Sequence, residues 1–400
     1  MRRFIGILAC FTLLCSAAPV GFAQSEATPK QPVQRQAEAS QPKLVENASS
    51  AVLLEQDTGK VLFNKNSNEK LPPASMTKIM TMLLIMEQID KGKLKLTDKV
   101  RTSEYAASMG GSQIFLEPGE EMTVDEMLKG IAIASGNDAS VAVAEHIAGS
   151  EEGFVTMMNN RAKELGLKNT HFQNPTGLPA ENHYSTAYDM AVMARELMKY
   201  PLIRNYTGKY EGYLRENTDK RFWLVNTNKL VRFYPGVDGV KTGFTTEARY
   251  CLTASAQKNG MRVIAVVMGA PTSKERNAQV TKLLDYAFSQ YTTKLLYKKD
   301  QPIKTIKVSR GQRKEVQLVA ADNVSVLLKK GESADKVTQE IIMDKKVKAP
   351  VKKGAPLGTL IVKNGSEVIS KQSIVANEDI DAASWWELFK QSFGMFSKSK

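Results

Sequence analysis

The chain of 400 residues is short of cysteine: Cys10, Cys15 and Cys251 are all it has. Cys10 and Cys15 fall in an N-terminal stretch that reads as a removable leader, which leaves one thiol and no internal disulfide. Cys251 lies inside a strand-like run and reads as an inert core residue. Long hydrophobic runs are missing too. Residues 4–18 are too short to span a bilayer comfortably, and the aromatic C-terminal segment is too short and too polar. No cluster of side chains with metal-ligand spacing is visible, so neither a metal nor another cofactor is expected. Acidic residues are the minority, 42 against 55 basic, for a formal net charge of +13. That balance suits nucleic acid, anionic lipid or an acidic polymer. No nucleic-acid module is present, so no nucleic-acid partner is expected, and the start of the chain argues for export.

Met1-Arg2-Arg3, the apolar run 4–18 and the small-residue end Gly21-Phe22-Ala23 make a secretory signal peptide, residues 1–23, with cleavage expected after Ala23. The competing readings are an N-terminal anchor, disfavoured by the short run, and a lipid-modified Cys15, disfavoured by the Thr12-Leu13-Leu14 lead-in. Residues 24–47 are rich in Gln, Ala, Pro and Ser without periodicity and read as a disordered linker.

Two strands are expected at 50–54 and 61–63, joined by a turn at Asp57-Thr58-Gly59. A helix follows over 75–90, apolar on nearly every face as a fully buried helix should be. Thr123-Val124-Asp125-Glu126 is a capping box opening a helix to about 134. Further helices are expected over 138–148, 151–165 and 186–199. His171 and His183 flank the rigid loop 174–179 and read as structural. The stretch 236–243 leads into a strand at 250–256, and a second strand at 262–268 returns after the hairpin turn Asn259-Gly260. A helix over 272–293 closes a domain spanning 48–293. From 294 to 378 short apolar runs alternate with Lys, Gly and Asp, the texture of a small separate β-sandwich. In the final stretch, 379–400, Trp385, Trp386, Leu388, Phe389, Phe393 and Phe396 share one helical face. That face, with Lys398 and Lys400 beside it, reads as an amphipathic helix lying in a membrane interface; a helix docked on the β domain is the alternative.

The candidate chemistry begins at Ser75-Met76-Thr77-Lys78. Pro72 and Pro73 forbid helix upstream, so Ser75 opens the buried helix and Lys78, three residues on, shares its face. A serine hydroxyl is a weak nucleophile without a base, and a lysine is a base only when neutral, which burial and a second cation both favour. The same spacing recurs at Ser40, Ser67, Ser255, Ser333 and Ser397, where surface lysines explain it. Two more short motifs follow: Ser135-Gly136-Asn137 at a break between helices, and Lys241-Thr242-Gly243 at the start of a strand with a hairpin partner. Each in isolation reads as an ordinary helix junction and an ordinary turn.

The three in this order are the motif set of penicillin-binding proteins and class A β-lactamases. The chain resembles the D-alanyl-D-alanine carboxypeptidases, low-molecular-weight penicillin-binding proteins. The likeness extends to Asn174-Pro175-Thr176-Gly177-Leu178, to Val237-Asp238-Gly239-Val240 before Lys241, and to the rear of the chain. The resemblance implies an α+β fold: a serine β-lactamase/penicillin-binding-protein-like catalytic domain, with an antiparallel sheet flanked by helices and a helical lobe, followed by a small all-β domain. It implies a serine-type carboxypeptidase that removes the terminal D-alanine from peptidoglycan stem peptides and is acylated by β-lactams. It also implies attachment by the C-terminal helix to the outer face of the cytoplasmic membrane.

Carried onto this sequence, Ser75 attacks the carbonyl, Lys78 takes its proton, Ser135 relays a proton to the leaving D-alanine and Asn137 holds Lys78 and the substrate amide. Lys241 keeps Lys78 neutral and draws in the terminal carboxylate, which Thr242 hydrogen-bonds. Gly243 lets the substrate backbone approach, the N–H groups of Ser75 and Phe244 form the oxyanion hole, and Arg276 stands near the carboxylate. The middle motif departs from the Ser-Asp-Asn of class A β-lactamases, and no deacylating glutamate can be placed, which favours the carboxypeptidase with slow release of penicillin. A β-lactamase, a DD-endopeptidase and an inactive wall-binding scaffold are the competing readings.

Overall fold

The computed structural model of the chain describes residues 42–343 and 346–389. The expected signal peptide and most of the expected linker lie outside those residues, as does the C-terminal segment beyond 389.

The catalytic portion is built on one antiparallel sheet. Its strands are β1 (Ser50–Glu55), β2 (Val61–Lys65), β3 (Val237–Thr245), β4 (Arg249–Lys258) and β5 (Met261–Ala270). Their spatial order is β2-β1-β5-β4-β3, which leaves β3 on an edge. Leu53 faces Ala265 across β1 and β5, and Lys241 faces Thr253 across β3 and β4. Asn259 and Gly260 both take positive φ, 50° and 84°, as the two-residue hairpin between β4 and β5 requires.

Successive residues of a strand face opposite sides. Ala51 and Leu53 of β1, with Val263, Ala265 and Val267 of β5, pack against Val280, Leu283 and Leu284 of the helix Ser273–Gln290. Val52, Leu54, Ile264, Val266 and Met268 face a helical lobe instead. Burial on both faces explains why these strands read as continuous apolar runs rather than alternating ones. Within the lobe, α1 (Lys78–Asp90) is buried over its first ten residues and packs beside α2 (Asn137–Ala148), α3 (Glu151–Glu164) and α4 (Ala187–Leu197).

Several local expectations shift by a turn. The capping box at Thr123 and Glu126 forms, but its α-helix ends at Lys129 and continues as a wider π-type turn, Gly130–Ala134. The closing helix stops at Gln290 because Tyr291–Tyr297 pairs instead with Val324–Lys329. Order begins before residue 48: Val45 is buried, and Lys65 Nζ donates to the carbonyls of Val45 and Glu46. Those are tertiary contacts, invisible to local composition.

The small all-β domain holds a five-stranded antiparallel sheet, in the order Pro302–Lys307, Glu315–Ala320, Glu367–Ala376, Pro356–Asn364, Val337–Met343. It has its own core around Leu318, Val326, Leu360 and Ile374. It meets the catalytic portion at the turn between β1 and β2, where Asp57 accepts from Ser325 Oγ, and Lys199 pairs with Asp322 at 2.9 Å. Among the described residues no helix is long and apolar enough to cross a membrane.

Candidate active site

Pro73 precedes a tight 3-10 turn, Ala74–Thr77, that leads directly into α1. A 3-10 turn has three residues per revolution, so side chains three apart eclipse. Ser75 and Lys78 therefore stand one above the other more closely than an α-helix would place them. Two glycines clamp this turn. A Cβ on Gly177, at φ +82°, would sit 1.8 Å from the Ala74 carbonyl oxygen. A Cβ on Gly243 would sit 2.6 Å from the Pro73 carbonyl oxygen. The glycine of the Lys-Thr-Gly motif is thus required for β3 to close on the Ser75 turn, a packing reason distinct from room for substrate.

Lys78 is fully buried. Its Nζ lies 3.2 Å from Ser75 Oγ, 2.6 Å from Asn137 Oδ1 and 2.7 Å from the Thr176 carbonyl oxygen. Asn137 Nδ2 donates to the Gly110 carbonyl at 2.6 Å, which fixes the amide so that its oxygen faces the lysine. Burial, and then the charge of Lys241, hold the Lys78 ammonium well below its ordinary range; Asp138 opposes them weakly. A neutral amine has two hydrogens and one lone pair. Asn137 Oδ1 and Thr176 O can only accept, so they take the two hydrogens, and the lone pair faces Ser75 Oγ. The arrangement is one in which an amine could take a proton from a hydroxyl.

Ser135 closes the π-type turn in the left-handed region, at φ 67°. A non-glycine residue is held there only when its surroundings impose it. Here Gly136 N donates to Gly130 O, and the buried Asp138 carboxylate accepts from the backbone N–H of Ile114, Leu116 and Ala139. Ser135 Oγ is buried without a hydrogen-bond partner among the described residues. A buried hydroxyl left unsatisfied is unfavourable unless a substrate or water completes it.

On β3, Lys241 and Thr242 are buried while Phe244 is exposed and rests on Tyr250, ring centroids 4.5 Å apart. Burial, with the nearby Arg276 guanidinium adding to it, pushes the Lys241 ammonium down to about 7. Thr242 Oγ1 donates to Thr227 Oγ1 at 2.7 Å. Arg276, at the start of the closing helix, is buried and bonds only the neutral Asn277 Oδ1, without an ion pair among the described residues. Ser75, Ser135, Thr242, Gly243, Phe244 and Arg276 line one cleft of about 420 Å³. Among its described lining residues the charged ones are Lys229 and Arg276, with no carboxylate.

All nine residues singled out in the sequence thus converge on the cleft or on its immediate support. Sequence reasoning missed the Thr176 carbonyl on Lys78, the Gly110 carbonyl on Asn137 and the Thr227 hydroxyl on Thr242. Two of these are backbone atoms, which no residue type marks. His171 Nδ1 lies 2.9 Å from the Asn182 carbonyl oxygen. His183 Nδ1 accepts from Gln173 N–H, so Nε2 carries the hydrogen and donates to Thr77 Oγ1 at 2.8 Å. Burial pushes its imidazole down to about 4, so it stays neutral and braces the Ser75 turn at Thr77. No group of metal-ligating side chains occurs among the described residues.

A serine with a buried, neutralised lysine, set where an antiparallel sheet meets a helical lobe, defines a serine hydrolase of the penicillin-binding fold. Residues 35–272 match the family described as D-alanyl-D-alanine carboxypeptidase, and 291–382 match the C-terminal domain of penicillin-binding protein 5. The chain is 61% identical to D-alanyl-D-alanine carboxypeptidase DacF of Bacillus subtilis over 400 residues, the whole of both chains. It is 34% identical to D-alanyl-D-alanine carboxypeptidase DacC of Escherichia coli over 362 residues, 87% of this chain and 88% of that one. The crystal structure of penicillin-binding protein 5 from Haemophilus influenzae superposes with a TM-score of 0.66 at 32% identity, over 84% of this chain and 98% of that one. The chain belongs to the D-alanyl-D-alanine carboxypeptidase family, and its activity is that of a serine D-Ala-D-Ala carboxypeptidase that binds β-lactams.

Proposed function

We propose that Ser75 is the nucleophile and Lys78 its base. Supporting this is the placement of Lys78 Nζ, buried, with two neighbours that can only accept and the Ser75 hydroxyl as its third. Lys78 takes the Ser75 proton as Oγ bonds to the carbonyl carbon of the penultimate D-alanine. The oxyanion is received by the N–H groups of Ser75 and Phe244, the first of these in a helix turn whose N–H groups lack intrahelical partners. Ser135, its hydroxyl otherwise unpaired, passes a proton to the departing D-alanine nitrogen as the C–N bond breaks. Water then hydrolyses the ester. Asn137 holds Lys78 and the substrate amide. Thr242 and Arg276 hold the terminal carboxylate, which Lys241 attracts. A β-lactam forms the same ester, and the described lining of the cleft holds no carboxylate to speed its hydrolysis.

The domain plan that goes with this is a signal peptide over 1–23, a linker to about 44, a catalytic domain to 290, a β domain from 291 to 378 and a membrane-associating end over 379–400. The protein acts outside the cytoplasmic membrane, held to its outer face. Supporting that, Trp385 is 69% exposed and Trp386 62%, an unusual display of aromatic surface, and Trp385 stacks on Phe389 at 5.4 Å.

The deciding experiment measures D-alanine released from a peptide ending in D-Ala-D-Ala by wild type and by Ser75→Ala. Release that disappears in the variant, together with its covalent labelling by penicillin, supports the assignment. Release that survives means that Ser75 was misassigned. A wild type that instead turns penicillin over rapidly would be acting as a β-lactamase.

A further inference from the structure

The seam between the catalytic portion and the small β domain has no part in the chemistry above. A cavity of about 220 Å³ lies in it. The catalytic side contributes the turn between β1 and β2, the end of α4, Arg204 and the hairpin between β4 and β5; the β domain contributes Lys299, Asp322 and Asn323. Lys241 pairs with Thr253 on β4, and Gly260 in the hairpin lies about 20 Å further along at about 3.4 Å per residue. The seam is therefore remote from the Lys-Thr-Gly motif.

Five cations line this cavity, Arg195, Lys199, Arg204, Arg262 and Lys299, against the carboxylates Asp57 and Asp322. Both carboxylates are engaged, Asp57 by the Ser325 hydroxyl and Asp322 by Lys199. Two of the cations are engaged as well: Lys199 also pairs with Glu196, and Arg262 pairs with Asp238 at 2.7 Å. The other three have no ion pair among the described residues. Arg195 donates only to the backbone carbonyls of Gln56 and Asp57, at 2.5 and 3.0 Å. The side chains of Arg204 and Lys299 have no hydrogen bond among the described residues. Burial and the charge of Arg262 hold the Arg204 guanidinium below its ordinary value, with Asp238 opposing them; a bound anion would relieve both effects. Arg195 also lines a second cavity of the seam, of about 390 Å³, whose described lining adds Lys371 and no carboxylate. Cationic surface thus continues from one cavity to the next through Arg195.

Guanidinium groups present paired N–H donors that match the oxygens of a phosphate. A cavity of this size is below that of sites for drug-sized ligands and suits one phosphate with a short polyol. Gln56, in the same lining, has a buried Oε1 without a hydrogen-bond partner among the described residues, an acceptor suited to a hydroxyl beside the phosphate. Two cationic cavities in line suit an anion that repeats. We propose that the seam binds a polyol phosphate polymer, a chain of phosphodiesters joined by short polyols. One phosphate is held by Arg195, Arg204 and Lys299, and the chain continues past Arg195 to Lys371.

The test titrates the full chain, at constant ionic strength, with a soluble glycerol phosphate oligomer, with inorganic phosphate and with polyglutamate of the oligomer's charge. The oligomer is expected to bind at least about tenfold more tightly than either of the others. The triple variant Arg204→Gln, Lys299→Gln, Lys371→Gln should weaken oligomer binding by about tenfold or more. The variant Lys307→Gln, Lys314→Gln, Lys348→Gln removes the same charge from exposed positions outside both cavities and should weaken it by less than about twofold. Both variants should release D-alanine at the wild-type rate, which shows that they are folded. Polyglutamate that binds as well as the oligomer, or equal weakening in the two variants, would reduce the effect to the general attraction of a chain of net charge +13 and overturn the site. Inorganic phosphate that binds as tightly as the oligomer would mean an adventitious ion only and overturn it too.

Discussion

Asn137 Oδ1 accepts from Lys78 Nζ at 2.6 Å while the other end of the same amide donates to the Gly110 carbonyl at 2.6 Å. One side chain thereby reads the state of the base: a neutral acceptor here tolerates a neutral lysine, whereas a carboxylate would demand a charged one.

Asn137→Asp places that carboxylate against Lys78 and favours its protonated form. Acylation by penicillin at neutral pH is expected to fall by about 10²-fold, the scale of a lost general base. The acid limb of its pH profile should move upward, since a higher pH is needed to free the amine. An acid limb that stays in place would show that Lys78 is not the base.

Lys241 makes stability depend on pH. Its folded value is pushed down to about 7 from the ordinary 10.5. Between those values the unfolded chain binds a proton that the folded chain does not, so stability rises with pH across that window and is lowest below about 7. Lys78, also depressed, acts in the same direction. Urea unfolding from pH 7 to 10 should give a shallower rise in Lys241→Met than in wild type. An unchanged slope would mean that Lys241 is not depressed.

Gly243→Ala drives a methyl group to 2.6 Å from the Pro73 carbonyl, a backbone atom that cannot swing aside. The expected loss is about 1–3 kcal/mol of stability, with β3 forced away from the Ser75 turn and penicillin acylation slowed. Thermal unfolding and acylation rate together check it. A variant of wild-type stability and rate would show that the strand and turn separate freely.

Trp385 and Trp386 carry the membrane reading. Replacing both by serine should reduce binding of the full chain to anionic phospholipid vesicles by at least about tenfold, since two large apolar side chains are lost, and leave D-alanine release intact. Undiminished sedimentation with vesicles would place the attachment elsewhere.

Much of this molecule is local in origin. Pro72 and Pro73 place the start of the central helix, Thr123 and Glu126 cap another, and Asn259-Gly260 turns the hairpin that sets the register of β4 against β5. The ordered motifs at Ser75, Ser135 and Lys241 are legible as residue types. The discriminating property is not. Ser67-x-x-Lys70 and Ser255-x-x-Lys258 have the same spacing, yet Lys70 lies over Tyr184, Lys258 lies over Tyr234, and Ser255 Oγ accepts from Arg262. The left-handed turn at Ser135 was equally hidden, because neighbours on distant segments impose it.

The sequence by itself determined most of the helices and strands and the order in which the three motifs arrive. Only the tertiary structure decided which lysine is buried beside a serine and a second cation. The acceptors that hold Lys78 stand 59 and 98 residues away, at Asn137 and Thr176, and the cation that lowers its proton affinity lies on β3. Proton affinity follows desolvation and nearby charge, and both are set by what the fold brings together rather than by what adjoins along the chain.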